Sequence, residues 1–322
     1  MIRNIVISCL ALSVSACATT KVQKIDVLDN VEIRKTNTVV SETIDANETF
    51  QKAREDYAAG KFVQALAGYE NTLTVADDSF NHRIETVLGY ADSALALSSV
   101  SKSYQEKARI AYTNILGTPH LSEDDKNRVL AGQVLLEIAS GTSEDAEVRL
   151  NEALEKNLMD PRLWNTLGRV HDQQGEWVLA TETYVKAMEA AGESGYPLAP
   201  IINNMGMSYL MRDQAKDALK KFKQAHALNR ENKIYDNNRR LALVLTGRLD
   251  KAVEDLSDKR AAQVYNDAGY ISAGRGEYGT ARYYYKKAIE LSPVYFKKAE
   301  LNLEALSKAE AGQHELTADR AP

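Results

Sequence analysis

Small and apolar residues recur at a fixed interval in the central part of the chain. The first set, Gly141, Ala146, Leu150 and Ala153, returns as Gly175, Ala180, Tyr184 and Ala187. The last three members of each set are spaced by four and then three residues, which places them on one face of a helix. The glycine before each set predicts the end of a preceding helix. The pattern therefore predicts paired helices in repeated units.

Further positions complete a known repeat. Trp164, Leu167 and Gly168 precede the second set at the offsets of the tetratricopeptide repeat. Later units carry the same positions: Met205, Gly206, Tyr209, Ala218, Phe222 and Ala225, and then Tyr265, Gly269, Gly276, Ala281, Tyr285, Ala288 and Pro293. By this resemblance the chain is all-α, a tetratricopeptide-repeat right-handed superhelical solenoid. The repeat implies that Gly168 faces Ala180 where two helices cross closely, and that the aromatic residue fills the wedge between consecutive units.

The predicted units cover residues 46–79, 127–160, 161–194, 199–232, 233–261 and 262–295. A diverged helical pair at 80–118 has a longer first helix in this interpretation. The interval from Ala252 to Ala281 is shorter than that from Ala146 to Ala180, which predicts a shortened second helix in unit 233–261. Arg240 stands in the same unit where a small residue is expected. We group the units as 46–158, which are diverged, and 159–307, followed by a disordered tail at 308–322.

The first residues predict export and a lipid anchor. Arg3 precedes the apolar run from Ile5 to Leu12, which is too short to span a bilayer but suits a signal peptide at 1–16. The following Val14-Ser15-Ala16-Cys17 resembles the bacterial lipobox, which implies lipidation of Cys17. The alternative is an ordinary signal peptide with an incidental cysteine. With Ala18 next, the resemblance implies an outer-membrane lipoprotein that faces the periplasm, with residues 17–45 as a flexible tether.

Composition and motifs exclude several classes of function. The net charge is −5 with acids and bases interspersed, so no basic stripe is available for nucleic acid. No catalytic constellation is present, and we expect no enzyme activity, no cofactor and no metal. His171 stands at a position that is aromatic in the repeat, so core packing explains it better than metal binding.

The first helix of each unit lines the concave surface in this architecture, with positions 5, 6, 9, 12 and 13 facing inward. The candidate partner groove contains asparagines and apolar residues: Asn165, Asn203, Asn204, Met207, Leu210, Met211, Asn237, Asn238, Leu241, Val244, Leu245, Asn266 and Tyr270. Amides suit a bound peptide backbone, and methionine adapts to irregular apolar shapes. Equally, the apolar residues could pack on the adjacent helix while the asparagines are hydrated or cap helices. Without a lysine-and-arginine clamp, a C-terminal carboxylate is not the expected ligand.

Three segments carry a more specific resemblance. Asp160 to Gly168, Asn203 to Leu210 and Asn238 to Ala252, with the final unit, resemble the TadD-type lipoproteins of the Tad (tight adherence) pilus system. The resemblance covers roughly residues 160–306 and implies an assembly factor, or pilotin, for the secretin of a Flp-type pilus. The alternative functions are a lipoprotein adaptor or regulator of cell-envelope (peptidoglycan) enzymes and an accessory lipoprotein of β-barrel insertion. Each requires protein partners and membrane attachment through the lipid anchor.

Overall fold

The computed structural model describes residues 45–77, 79–142, 144–292 and 297–318, and side chains as far as Lys308. All regular secondary structure in these ranges is helical, which confirms the predicted class. The helices α1 to α15 cover, in chain order, Ala46–Ala58, Phe62–Val75, Arg83–Ala96, Lys102–Leu116, Glu123–Ser140, Ala146–Lys156, Pro161–Gln174, Trp177–Ser194, Leu198–Met211, Ala215–Leu228, Lys233–Leu245, Leu249–Val253, Asp258–Gly274, Tyr278–Leu291 and Lys297–Ala318. No helix within the described ranges is both long and apolar enough to cross a membrane.

The described chain forms two compact units. One comprises residues 45–197 with 231–233, and the other comprises 198–230 with 234–318. The grouping at residue 158 rests on how closely the repeats follow the consensus. The cores continue across that residue, because Leu150 and Leu154 of α6 share a buried cluster with Leu163 and Leu167 of α7.

In the compact unit of residues 45–197, capping residues determine where the helices begin and end. The side chain of Asp160 accepts a hydrogen bond from the backbone N–H of Arg162, and Pro161 follows at the first helical position of α7. Ser122 caps α5 in the same way through the N–H of Asp125. Gly175 ends α7 with a φ of 82°, the left-handed conformation predicted from the sequence.

Three expectations about helix length have different outcomes. The second helix of unit 233–261 is short, as predicted, because α12 has only five residues. The longer first helix expected at 80–118 is wrong, since α3 has 14 residues, as α7 does. At the C-terminus, α15 continues to Ala318, so residues 308–318 are helical where we expected a disordered tail. Pro293 and all residues before Asp45, including Cys17, lie outside the described residues.

The repeated glycines face aromatic rings. A Cβ added to Gly206 would lie 2.5 Å from the Phe222 ring, and one on Gly269 would lie 2.7 Å from the ring of Tyr285. At Gly168 the nearest atom is likewise in the Tyr184 ring, at 2.8 Å, and at Gly269 the carbonyl oxygen of Ala281 follows at 3.2 Å. The aromatic residue therefore packs inside its own hairpin in these three units. Phe222 and Tyr285 also share buried clusters with Leu243 and Leu306 of the following helices, in agreement with the predicted place between consecutive units.

The earlier hairpins use the aromatic residue differently. A Cβ on Gly89 would collide with the ring of Tyr69, and one on Gly132 would collide with the ring of Tyr112. Tyr69 lies on α2 and Gly89 on α3, so here the ring reaches the first helix of the following hairpin. Tyr112 on α4 and Gly132 on α5 repeat this arrangement. The predicted packing between units is therefore present in residues 62–140.

Candidate partner-binding surfaces

Three of the predicted groove asparagines lie inside the protein. Asn203 and Asn238 are buried, and Nδ2 of Asn238 donates a hydrogen bond of 2.8 Å to Oδ1 of Asn203. Asn266 is buried too, and its Oδ1 accepts from Nδ2 of Asn302 at 2.9 Å. These bonds join α9 to α11 and α13 to α15. They correct both interpretations, because the amides neither face a bound peptide nor serve as hydrated caps.

The other three asparagines are half-buried and also engaged. Oδ1 of Asn237 accepts a hydrogen bond of 3.1 Å from Nη2 of Arg260. Asn165 and Asn204 likewise have interactions with the rest of the chain. An amide must break such a bond before it can bind a peptide backbone, so the asparagines are weaker candidates for recognition than the apolar residues beside them.

The apolar candidates divide into one core residue and a partly exposed group. Leu210 is 1% exposed and packs with Phe222 and Leu243, so its assignment to an open groove is wrong. The remaining residues keep part of their surface exposed and are here named the apolar strip: Met207, Met211, Leu241, Val244, Leu245 and Tyr270. The strip lies on α9, α11 and α13, the first helices of three consecutive hairpins.

Packing makes most of this strip continuous. Met207, Leu241, Val244 and Leu245 all flank the core of α9 to α12. Leu241, Val244 and Leu245 also contact the group around Ile271, together with Tyr270. Since each residue is only half-buried, the strip presents apolar surface supported from below by a rigid core. The strip therefore packs on the adjacent helices, as the alternative interpretation expects, and also keeps apolar surface exposed that a partner could cover.

A carboxyl group lies beside the end of this strip on α13. Asp267 follows buried Asn266, whose Nδ2 donates to Oδ1 of Asp267 at 3.3 Å. Burial raises the pKa of Asp267 to about 7, although this hydrogen bond and the charge of Lys298 both act to lower it. A carboxyl group with such a pKa is partly protonated at neutral pH, so it can donate a hydrogen bond as well as accept one.

In the other compact unit, Asp92, Tyr112 and Arg128 form a closed polar network. Nε and Nη2 of Arg128 donate to one carboxylate oxygen of Asp92 at 2.8 and 2.6 Å, and the Tyr112 hydroxyl donates to the second at 2.5 Å. Burial acts to lower the pKa of Arg128, but Asp92 outweighs it and raises the pKa. Each charge has its counterpart, so this network joins α3, α4 and α5 and is better suited to structure than to ligand binding.

Arg169 differs from Arg128 in its electrostatic surroundings. It directly follows Gly168 on α7, at an inward position of the repeat that we did not single out from the sequence. In the part of the chain that the structure describes, no carboxylate comes close enough to pair with its half-buried guanidinium. Burial lowers the pKa of Arg169, while Tyr184 and Asp172 act in the opposite direction. A half-buried cation of this kind is a candidate for binding an acidic group of a partner.

The hairpin geometry decides the class of fold. In three units a glycine on the first helix meets an aromatic ring that stands at the same sequence spacing on the second, across a crossing that also buries an alanine. The chain has a tetratricopeptide-repeat fold. Such repeats form extended surfaces for protein partners, so the fold is that of a protein-interaction scaffold.

Comparisons with known proteins give similarity in fold. No protein-family model and no curated protein matches the sequence. A tetratricopeptide repeat protein from Parabacteroides merdae is 16% identical, with 81% of this chain and 98% of that chain covered and a TM-score of 0.43. YrrB, a tetratricopeptide-repeat protein with an unusual peptide-binding site, is 21% identical over 61% of this chain and 97% of its own, with a TM-score of 0.37. A chain of the APC/C hetero-tetramer Cut9–Hcn1 is 14% identical, with 80% of this chain and 55% of that chain covered and a TM-score of 0.45.

Proposed function

We propose that this protein is an outer-membrane lipoprotein scaffold that assists assembly of the secretin of a Tad/Flp-type pilus. The proposal is that the apolar strip binds the partner. The observation that carries this role is that Met207, Leu241, Val244 and Leu245 are continuous and half-buried on consecutive first helices. The tetratricopeptide-repeat fold and the sequence resemblance to TadD-type lipoproteins support it.

The chemistry of the strip defines the partner segment. Two methionines, three aliphatic residues and one tyrosine accept an apolar face of a helix or extended segment better than a charged one. Burial of a few such side chains is sufficient for a specific contact when they are held rigidly. We therefore expect an apolar segment of a secretin subunit, or of another Tad assembly component, as the occupant.

The membrane attachment is a separate part of the proposal. It rests on the sequence Val14-Ser15-Ala16-Cys17, which lies outside the described residues. The protein with Cys17→Ser should lose labelling by a palmitate analogue and remain unprocessed. Labelling that persists in this variant would contradict the lipobox interpretation without affecting the proposal for the strip.

The strip is tested by Met211→Glu combined with Leu245→Glu in the full chain. Two carboxylates buried against an apolar partner would be unpaired, which costs enough to abolish a typical contact. The expected result is loss of secretin capture and of surface pili, with normal helicity by circular dichroism and normal membrane anchoring. The matched control is Val178→Glu with Val185→Glu, which places the same charges at exposed positions of α8.

Each contrary outcome identifies the step that fails. Capture that survives in a folded double variant would place the binding site elsewhere. An unfolded double variant would show that the two residues belong to the core, and Met211→Lys alone then repeats the capture test at one position. Crosslinking of the unaltered protein in native membranes to peptidoglycan enzymes, and not to a secretin, would contradict the pilus role.

A further inference from the structure

Three potential metal ligands converge at the junction of two hairpins in the unit of residues 45–197. Glu147 lies in the first turn of α6, His171 in the last turn of α7, and Glu176 immediately before α8. One ligand atom from each residue lies within 4.8 Å of the corresponding atoms of the other two. Nδ1 of His171 is 3.1 Å from Oε2 of Glu176. The three residues therefore surround a single point rather than lining a surface.

The surroundings favour a defined site. His171 is 5% exposed, so its imidazole is held by the packing of α7. The Glu147 side chain is half-buried, and Nε2 of Gln174 lies 3.5 Å from its Oε2, where it can orient the carboxylate. The side chain of Glu176 is 47% exposed and leaves one side open to water. An ion could enter from this side and keep water as its remaining ligand.

A divalent cation would balance the charge of the two carboxylates. Glu147 and Glu176 bring two negative charges close together beside a neutral or protonated imidazole. A divalent ion between them replaces repulsion by attraction. One imidazole and two carboxylates are ligands that zinc accepts in four-coordinate sites, with water as the fourth ligand, whereas magnesium and calcium prefer oxygen alone.

We propose that Glu147, His171 and Glu176 form a Zn²⁺ site that joins hairpin α5–α6 to hairpin α7–α8. Glu147 belongs to the first hairpin, and the other two residues belong to the second. Because these ligands come together only when both hairpins are folded and packed, zinc binds the native chain and stabilises this junction. The proposal does not depend on the identity of the protein partner.

Isothermal titration of the chelator-treated full chain with ZnCl₂ tests the site, and thermal unfolding in the same buffer tests its effect on stability. The expected results are one zinc ion per chain and a melting temperature that rises with the logarithm of zinc concentration. MgCl₂ should produce neither effect. Glu147→Gln and Glu176→Gln keep the side-chain shape and should each weaken zinc binding by more than about tenfold.

Two further variants separate a direct ligand from a structural effect. His171→Tyr restores the aromatic residue usual at this repeat position and should fold normally without binding zinc. Glu152→Gln removes an exposed carboxylate from the same helix and should bind zinc like the unaltered protein. The proposal is overturned if the unaltered protein binds no zinc, or if Glu147→Gln and His171→Tyr bind it undiminished, which would assign binding to other residues.

Discussion

Nη1 of Arg240 donates a hydrogen bond of 2.7 Å to the backbone carbonyl of Ala252, near the end of the five-residue helix α12. The same nitrogen donates to the carbonyl of Glu254 at 3.0 Å, and Nε donates to Asp236 at 2.8 Å. Arg240 stands where the other units have the glycine that faces an aromatic ring. The truncated helix supplies no ring, and the arginine side chain fills this space while it satisfies the carbonyls at the helix end.

Replacement of Arg240 by methionine should therefore destabilise the unit of α9 to α15. The variant leaves the buried carbonyl of Ala252 without this donor and removes one partner of Asp236, at a cost of about 2–4 kcal/mol. Urea unfolding measures the change. Arg248→Met, at an exposed position beside α12, is the matched control. Equal stability of the two variants would show that Arg240 contributes nothing beyond its volume.

The bond between Asn203 and Asn238 predicts a structural role for these asparagines. Asn238→Ala should lower the free energy of unfolding by about 1–3 kcal/mol, because the amide of Asn203 stays buried without its partner. Asn151→Ala, on an exposed face of α6, should change it by less than about 0.5 kcal/mol. If Asn238→Ala instead abolishes partner capture at unchanged stability, the amide serves recognition and the structural assignment is wrong.

Glycine to alanine substitutions test the close contacts within hairpins. The new methyl group at Gly206 would press on the ring of Phe222 and should cost about 1–3 kcal/mol. The same substitution at Gly192 meets no atom within 4 Å on α8 and should gain about 0.5–1 kcal/mol from helix propensity. The difference between the two melting temperatures is the measurement. A tolerated Gly206→Ala would show that the ring of Phe222 can move aside.

Asp267 predicts a specific dependence of stability on pH. Burial raises its pKa from 3.8 to about 7, so the folded state retains a proton that the unfolded state has lost. As pH rises from about 4 to 7, this group should therefore lower the stability of the folded protein, by roughly 1–4 kcal/mol in total, with no further change above that range. Asp267→Asn should gain stability over the unaltered protein across that window. A constant difference between pH 4 and pH 8 would exclude this titration.

Arg169 predicts opposite effects on stability and binding. Arg169→Met removes a half-buried charge that forms no ion pair among the described residues and whose burial outweighs the charge of Asp172, so the melting temperature should stay level or rise. The variant should capture less of a partner that binds Arg169 through an acidic group. Pulldown measures this, with the unaltered protein as reference. Lys156→Gln removes an exposed charge and should change neither property. A lower melting temperature for Arg169→Met would indicate that the arginine stabilises the free protein.

The sequence predicts the helices well because their signals are local. Alanine, glycine and aromatic spacings follow from contacts inside one hairpin, and the shortened α12 follows from the reduced interval between Ala252 and Ala281. The candidate groove is predicted less well, since burial depends on the neighbouring hairpin. The inward periodicity places Leu210 and Met211 together, yet packing against Phe222 of its own hairpin and Leu243 of the next makes Leu210 a core residue.

Pairing between side chains is the least predictable feature. Asn203 and Asn238 are far apart in the sequence, and nothing in either segment alone indicates that one amide bonds the other. The same holds for Glu147 and His171, whose proximity requires two hairpins at a fixed angle. Within the described ranges, Arg169 forms no ion pair, and the Asp172 carboxylate acts on it only through its longer-range charge. The sequence alone shows only that a cationic residue stands at an inward position of the repeat.

The two ways of using the aromatic residue have an evolutionary consequence. A hairpin such as residues 161–194 contains both its glycine and the ring that covers it, so duplication or deletion of that segment preserves the contact. Tyr69 and Tyr112 depend instead on glycines of the next hairpin. The loss of one hairpin would place such a ring against a helix that lacks the matching glycine. We expect related chains to differ in repeat number in the later part, while the hairpins of residues 46–140 are inherited as a block.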